Sequence, residues 1–249
     1  MLKNFLITDG NAAEYVSKIG LFIKERVVAA AREGIVLGMS GGLDSAVAAR
    51  LCQAAGVPAL LIMLPDGAAG MKSKSFGYAK SFVQRFGFEY MVVDIGKICR
   101  DIEAAAGDLS PESRLNIRPR VRMSMLYSLA QTKRRFVLGT SNLSERLLGY
   151  FTKWGDGASD LNPLGMLVKS EVRHLSRALD IPKEIIEKAP SADLFEGQTD
   201  ESDLGISYAE IDAFALTGTS GNAAADKKIK ARIEMSLHKN NVIPLFGAI

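Results

Sequence analysis

Short apolar runs alternate with helical periodicity from residue 11 to about residue 180 of this chain. Four runs have the length and apolar content of strands buried on both faces, namely residues 35–39, 59–64, 89–95 and 136–139. Helical patterns precede and separate these runs, at residues 11–32, 44–55, 72–86, 96–106 and 113–133. The alternation predicts a doubly wound α/β fold, in which helices cover both faces of a parallel sheet and ligands lie beyond the carboxyl ends of its strands.

The rest of the chain is predicted to consist of helices and loops. Residues 141–160 are rich in Gly, Ser, Asn and Asp, which is typical of a long functional loop with one short helix, and residues 189–205 are predicted to be mobile. Ser170 is a suitable N-cap for a helix over residues 171–179. Further helices are predicted after Ile181-Pro182 and over residues 207–216 and 222–239. Because no linker divides the chain, we expect a single domain over residues 1–249.

Composition excludes several classes of protein. A hydrophobic fraction of 47% excludes disorder, and no run approaches the roughly 20 apolar residues of a membrane helix. The 31 basic residues nearly balance the 28 acidic ones, so the net charge of +3 gives no ground for a nucleic-acid partner. Cys52 and Cys99 have neither disulfide nor metal-ligand spacing, and the start of the chain lacks a signal peptide. We therefore expect a cytoplasmic, reduced protein without a membrane partner.

The most specific motif is a glycine-rich turn between the first predicted strand and the next helix. Adjacent glycines allow positive φ and let backbone N–H groups approach an anion, and the helix N-terminus adds positive potential. Asp44 would repel phosphate unless Mg²⁺ lies between them, so the turn predicts a magnesium site as well. The pattern matches neither a Walker A loop nor a dinucleotide-binding fingerprint. The predicted phosphate-binding residues are Gly38, Met39, Ser40, Gly41, Gly42, Leu43, Asp44 and Ser45.

This turn resembles the pyrophosphate loop of the N-type ATP pyrophosphatases, which cleave ATP between its α and β phosphates. Further segments resemble the NAD synthetase family, namely residues 139–145, 149–157, 188–194, 203–208 and 238–239. The resemblance implies an adenine nucleotide alpha hydrolase-like fold. It also implies the final step of NAD biosynthesis. In that step the carboxylate of deamido-NAD (nicotinic acid adenine dinucleotide) attacks ATP, and ammonia attacks the resulting acyl-adenylate, releasing NAD, AMP and pyrophosphate.

The same resemblance assigns roles to individual residues. Asp44 and Glu145 match the Mg²⁺ ligands, and Asp44 and Lys169 are expected to act in catalysis. Asp156 is our candidate for holding ammonium and accepting its proton. Besides the turn, ATP is expected to contact Thr140, Lys169 and Ser191. The expected deamido-NAD contacts are Arg120, Lys153, Asp160, His238 and Lys239.

The resemblance also bears on assembly and on the nitrogen donor. The family's deamido-NAD site lies at a two-fold interface, which implies a homodimer. Glutamine-dependent members carry an additional nitrilase-like domain, for which 249 residues leave no room, so we expect free ammonia as the donor and no glutaminase domain. Met63 stands where some members have an arginine that contacts adenine, so adenine is expected to rest on apolar surface.

Other interpretations compete with these assignments. A tRNA-modifying ATP pyrophosphatase would share the turn, as would a nucleotide-binding module without catalysis, although Cys52 and Cys99 have the surroundings of apolar core residues. The basic residues between 113 and 135 are interpreted mainly as a solvated face, with deamido-NAD or nucleic acid as alternatives. The acidic stretch 193–212 is interpreted as a solvated loop. His174 is expected to be structural, and Trp154 to pack against the fold rather than stack on a pyridine ring.

Overall fold

The computed structural model describes residues 5–190, 199–241, 243, 244 and 246. Its sheet contains four parallel strands in the order β3-β2-β1-β4, which confirms the predicted α/β fold. Ile35 at the start of the central strand lies opposite Ala59 on one side and Phe136 on the other. The strands are β1 (Ile35–Gly38), β2 (Ala59–Met63), β3 (Glu89–Val92) and β4 (Phe136–Val137).

Helices cover both faces of this sheet because its strands alternate apolar side chains between two cores. Leu37 and Leu61 belong to the larger core, with α1, α2, α4 and α8, whereas Val36 and Leu60 pack against α5 and α6. The helices are α1 (Ala12–Ala29), α2 (Leu43–Ala54), α3 (Gly67–Lys72), α4 (Lys74–Phe86), α5 (Gly96–Ala106), α6 (Pro111–Thr132), α7 (Leu143–Leu147), α8 (Lys169–Ala178), α9 (Lys183–Ile186), α10 (Asp200–Leu204), α11 (Tyr208–Thr217) and α12 (Ala223–Asn240).

Three local predictions are wrong. All four residues of β3 are exposed instead of buried, because β3 is the outermost strand of the described sheet. Helix α8 begins at Lys169 with Val168 as its N-cap, so Ser170 lies inside the first turn rather than capping it. Residues 199–205 are not a mobile loop, because Thr199 caps the short helix α10 by accepting from the backbone N–H of Ser202. The predicted loop residues 191–198 lie outside the described residues.

Two buried carboxylates also contradict the prediction that the acidic stretch 193–212 is a solvated loop. Asp200 and Asp212 are 5% and 6% exposed, so this part of the chain is not a solvated loop. Both cysteines are buried free thiols, and burial raises the pKa of Cys52 to about 12. Over the described ranges, the chain contains no helix with the length and apolar character that crossing a membrane requires.

Candidate active site

The glycine-rich turn lies at the carboxyl end of β1, beside β4, where the strand order reverses. Gly41 has a φ of +82°, and a Cβ atom there would stand 2.0 Å from the backbone oxygen of Ser75. The hydroxyls of Ser40 and Ser45 are 3.1 Å apart at the mouth of the turn. Since no described side chain caps the first turn of α2, its N–H groups remain available to an anion.

We expect Gly41→Ala to lower the melting temperature and to abolish ATP binding. The alanine would be strained at positive φ and would collide with backbone, a combined cost of roughly 3 kcal/mol or more. Gly77→Ala is the matched control, because a Cβ on that glycine of α4 meets nothing within 4 Å. Thermal unfolding and calorimetric ATP titration of both variants check the prediction, which is contradicted if Gly41→Ala binds ATP like the control.

A charge cluster of Asp44, Glu145 and Lys169 adjoins this turn through Asp44, which belongs to both. The Lys169 ammonium donates to Asp44 Oδ2 at 2.6 Å and to Glu145 Oε1 at 3.4 Å. The three residues stand in the first turns of three different helices, α2, α7 and α8. The structure therefore brings together three residues that are far apart in the sequence.

Asn142 fixes the two carboxylates of the charge cluster relative to each other. It is fully buried and donates from Nδ2 to Asp44 Oδ1 at 3.1 Å. It also forms a capping box with Glu145: Asn142 Oδ1 accepts from the Glu145 N–H, and Glu145 Oε2 accepts from the Asn142 N–H. The Asn-x-x-Glu spacing within residues 139–145 is the signal that could have identified Asn142.

The two carboxyl groups of the charge cluster share a single ammonium group. Burial, followed by the nearby Asp44 carboxylate, raises the pKa of Glu145 to about 8. Burial disfavours the Lys169 ammonium, but Asp44 and Glu145 outweigh it and hold the pKa of Lys169 above its usual value. Asp200 adds a third acid: burial raises its pKa, and its Oδ1 has no hydrogen-bond partner among the described residues. Tyr208, whose hydroxyl donates to Asp200 Oδ2 at 2.9 Å, holds that side chain in place.

These carboxylates suit a divalent cation. The described residues contain no cluster of three or more Asp, Glu, His or Cys arranged as a metal site. Mg²⁺ does not need one, because it is commonly held by one or two carboxylates together with phosphate oxygens and water. Asp44 and Glu145 offer two such carboxyl groups, and the raised pKa of Glu145 shows that one ammonium does not fully compensate their charge, which favours a cation.

A cavity of about 140 Å³ opens above the charge cluster and the glycine-rich turn. Thr140 and Ser141, which follow β4, line it together with Ser40. Arg173 and Lys188 also line it, and the sequence analysis missed both as site residues. The i+4 spacing from Lys169 on α8 could have identified Arg173. Ser191, predicted to contact ATP, lies outside the described residues.

A second group of basic residues gathers near the C-terminal end of α12. Lys153 Nζ donates to the carbonyl of His238 at 2.7 Å, and Arg120 Nε donates to the carbonyl of Lys153 at 3.4 Å. Lys239 Nζ donates to the backbone oxygens of Gly149 and Phe151 at 2.7 and 2.8 Å. Four of the five residues predicted to contact deamido-NAD are therefore adjacent to one another.

Three other predicted residues lie near this group or the cavity. Asp160 Oδ2 accepts from the backbone N–H of Val137 at 2.8 Å, which places Asp160 beside β4. Asp156 lines the cavity and accepts from the Thr152 N–H at 2.9 Å. Asp156 is an exposed residue. Its carboxyl group is nevertheless surrounded by protein atoms, and this desolvation raises its pKa. Trp154 is 54% exposed with a φ of +62°, so the prediction that it packs against the fold is wrong.

Three further expectations from the sequence concern His174, the basic helix α6 and Met63. His174 Nδ1 lies 2.8 Å from Asp9 Oδ1, outside the cavity, in keeping with a structural residue. The basic helix α6 is more than a solvated face, because Arg118 pairs with Asp66 and Arg122 donates to the carbonyl of Leu64. Met63 is 1% exposed and belongs to the core, so its side chain offers adenine no surface.

Known proteins share this fold and sequence over nearly the whole chain. An NH(3)-dependent NAD(+) synthetase of Archaeoglobus fulgidus is 38% identical over 239 residues, which cover 94% of this chain and 97% of that protein. The solved structure of an NMN synthetase from Francisella tularensis has a TM-score of 0.89 and 36% identity, covering 97% of this chain and 99% of that one. The solved structure of an NH3-dependent NAD synthetase from Campylobacter jejuni has a TM-score of 0.80 and 28% identity, covering 94% and 98%. The family model described as NAD synthase matches residues 15–243, and the chain belongs to the NAD synthase family.

Proposed function

We propose that this protein is an ammonia-dependent NAD synthetase, a ligase that amidates deamido-NAD at the expense of ATP. The observation that carries the proposal is the charge cluster of Asp44, Glu145 and Lys169 at an uncapped helix N-terminus, in a chain of the NAD synthase family. The same family membership disfavours a tRNA-modifying ATP pyrophosphatase. Relatives named as NH3-dependent support free ammonia as the nitrogen donor.

In this proposal the protein acts by positioning and charge neutralisation rather than by a covalent nucleophile. The N–H groups that begin α2 and the hydroxyls of Ser40 and Ser45 hold the polyphosphate. Lys169 and Arg173 neutralise charge that builds on the departing pyrophosphate when the substrate carboxylate attacks the α-phosphate. The acyl-adenylate then reacts with ammonia, and Asp156, whose raised pKa suits a base, accepts the proton that the nitrogen releases.

We propose Asp44 and Glu145 as the residues that hold Mg²⁺ in the working enzyme. When bound, the cation would offset phosphate charge. Lys169 holds both carboxylates in place, because its ammonium contacts each of them. Asn142 orients Asp44 from the opposite side.

The proposal is tested by incubating the protein with deamido-NAD, ATP, Mg²⁺ and ammonium. We expect NAD, AMP and pyrophosphate in equal amounts, because ATP is cleaved between its α and β phosphates. Glutamine in place of ammonium is expected to give little product. Formation of ADP, or ATP consumption without NAD, would contradict the proposed reaction.

Amidation of the mononucleotide is the second candidate, and one comparison favours it. The Francisella tularensis relative is called an NMN synthetase, and its TM-score of 0.89 exceeds the 0.80 of the Campylobacter jejuni NAD synthetase. NMN is NAD without its AMP half, so the corresponding substrate would be nicotinic acid mononucleotide. Measuring kcat/KM for both substrates in the same assay separates the candidates. A clear preference for deamido-NAD supports the first, and a preference for the mononucleotide supports the second.

We also propose that the protein works as a homodimer in the cytoplasm and binds no nucleic acid. Exposed apolar side chains on β3 and α5 favour a second copy as the partner, since they include Met91, Val92, Ile98 and Ile102. Two buried free thiols are in keeping with a reducing compartment. Arg118 and Arg122 of α6 are engaged within the fold, which reduces the basic surface that this helix offers to nucleic acid.

A further inference from the structure

Lys169, which lines the cavity, is the first residue of helix α8, and this helix has no polar N-cap. Its N-cap residue is Val168, whose side chain cannot accept a hydrogen bond. Glu171 supplies one half of a capping box, because its Oε2 accepts from the Val168 N–H at 3.0 Å. The N–H groups of Lys169 and Ser170 are left to find acceptors elsewhere in the fold.

Asp212 of α11 provides these acceptors from 42 residues further along the chain. Its Oδ2 accepts from the Ser170 N–H at 2.8 Å, and its Oδ1 accepts from the Lys169 N–H at 3.3 Å. Oδ1 also accepts from the Ser144 hydroxyl at 2.6 Å, and that hydroxyl accepts in turn from the Lys169 N–H at 3.1 Å. Asp212 is 6% exposed and Ser144 is fully buried, so water does not compete for these bonds.

One carboxylate thereby contacts both α8, through its backbone N–H groups, and α7, through the Ser144 hydroxyl. Ser144 precedes Glu145 on α7, and the two capped N–H groups begin α8 at Lys169. A negative charge at this position is also favourable to the N-terminus of α8. Displacement of Asp212 would therefore move the ammonium of Lys169 and the carboxylate of Glu145 together.

We propose that Asp212 is the positioning residue of this active site, acting through Ser144 and the first turn of α8 on Lys169 and Glu145. The role rests on the proposed function, because it concerns the same ATP-cleaving site. Asp212 does not line the cavity, so it acts on bound substrate only through other residues. Its effect on the reaction is therefore indirect and appears in kcat and in the Mg²⁺ requirement.

The test compares D212N with S144A and with V83A. Asparagine keeps the shape of Asp212 but has one acceptor oxygen, so it cannot serve both Ser170 and Lys169. We expect D212N to lower kcat at least 20-fold and to raise the half-saturating Mg²⁺ concentration at least fivefold, with KM for deamido-NAD changed less than threefold. S144A is expected to shift the same parameters in the same direction by a smaller factor.

Val83 supplies the control for a general loss of stability. It is buried in α4, in the larger core, and makes no contact with the cavity. All variants are assayed at one temperature, at which thermal unfolding shows each of them to be folded, and V83A is expected to keep the parent kcat. A D212N kcat within twofold of the parent, or a V83A loss equal to that of D212N, overturns the positioning role.

Calorimetric titration with ATP and Mg²⁺ separates this inference from the proposed function. If the parent protein binds ATP with Mg²⁺ but forms no NAD, the proposed function fails while Asp212 can still be judged by affinity. D212N must then weaken ATP binding in the presence of Mg²⁺ more than V83A does. Equal affinities of the two variants overturn the inference.

Discussion

Replacing Asp44 with asparagine is expected to lower kcat/KM for ATP by roughly 10³-fold or more while the protein remains folded. The Asp44 carboxylate accepts from Lys169 Nζ at 2.6 Å and from Asn142 Nδ2 at 3.1 Å, so asparagine would direct an amide group at one of these donors. It would also remove one of the two carboxylates proposed to hold Mg²⁺. A loss of this size corresponds to about 4 kcal/mol of transition-state stabilisation.

Initial rates of AMP and NAD formation, measured over a range of Mg²⁺ concentrations, check this prediction. Asp101→Asn is the control of equal charge, because Asp101 is an exposed residue of α5 that pairs with Lys97 one turn away. Circular dichroism establishes that both variants are folded. Activity of Asp44→Asn within tenfold of the control would show that the α-phosphate is activated by other residues.

The second large effect concerns stability. We expect Glu145→Gln to be inactive and yet more stable than the parent protein at high pH in the absence of Mg²⁺. Burial and Asp44 raise the pKa of Glu145 to about 8, from 4.5 for an ordinary glutamate. As pH rises from 4.5 to 8, the unfolded chain loses this proton before the folded protein does, so the parent loses stability across that window. Glutamine does not titrate and avoids the loss.

The gain from Glu145→Gln is expected to be absent at pH 4.5 and to reach a plateau above pH 8. We expect a gain on the order of 2 kcal/mol, or about 4–8 °C in melting temperature. Thermal unfolding with a chelator present, at pH 5 and pH 9, measures the difference. Glu234→Gln, an exposed residue of α12, should show no such pH dependence. A variant that is less stable than the parent at pH 9 would mean that Glu145 is a favourable anion.

Much of this site could be expected from the sequence because local signals and parallel strands act together. Residues that follow β1 and β4 must meet at one edge of the sheet, which brings Thr140 close to the glycine-rich turn. The start of α8 could not be predicted, since its cap comes from Asp212 on a distant helix. Nor could the exposure of β3 be predicted, because an apolar run does not reveal whether its strand is central or at the edge.

The exposed edge of β3 makes the handling of this protein depend on its concentration. An edge strand offers unpaired N–H and C=O groups to any extended chain, and Tyr90, Met91 and Val92 favour such pairing without carrying charge. We therefore expect the protein to aggregate strand against strand as its concentration rises, and Met91→Lys to suppress that aggregation.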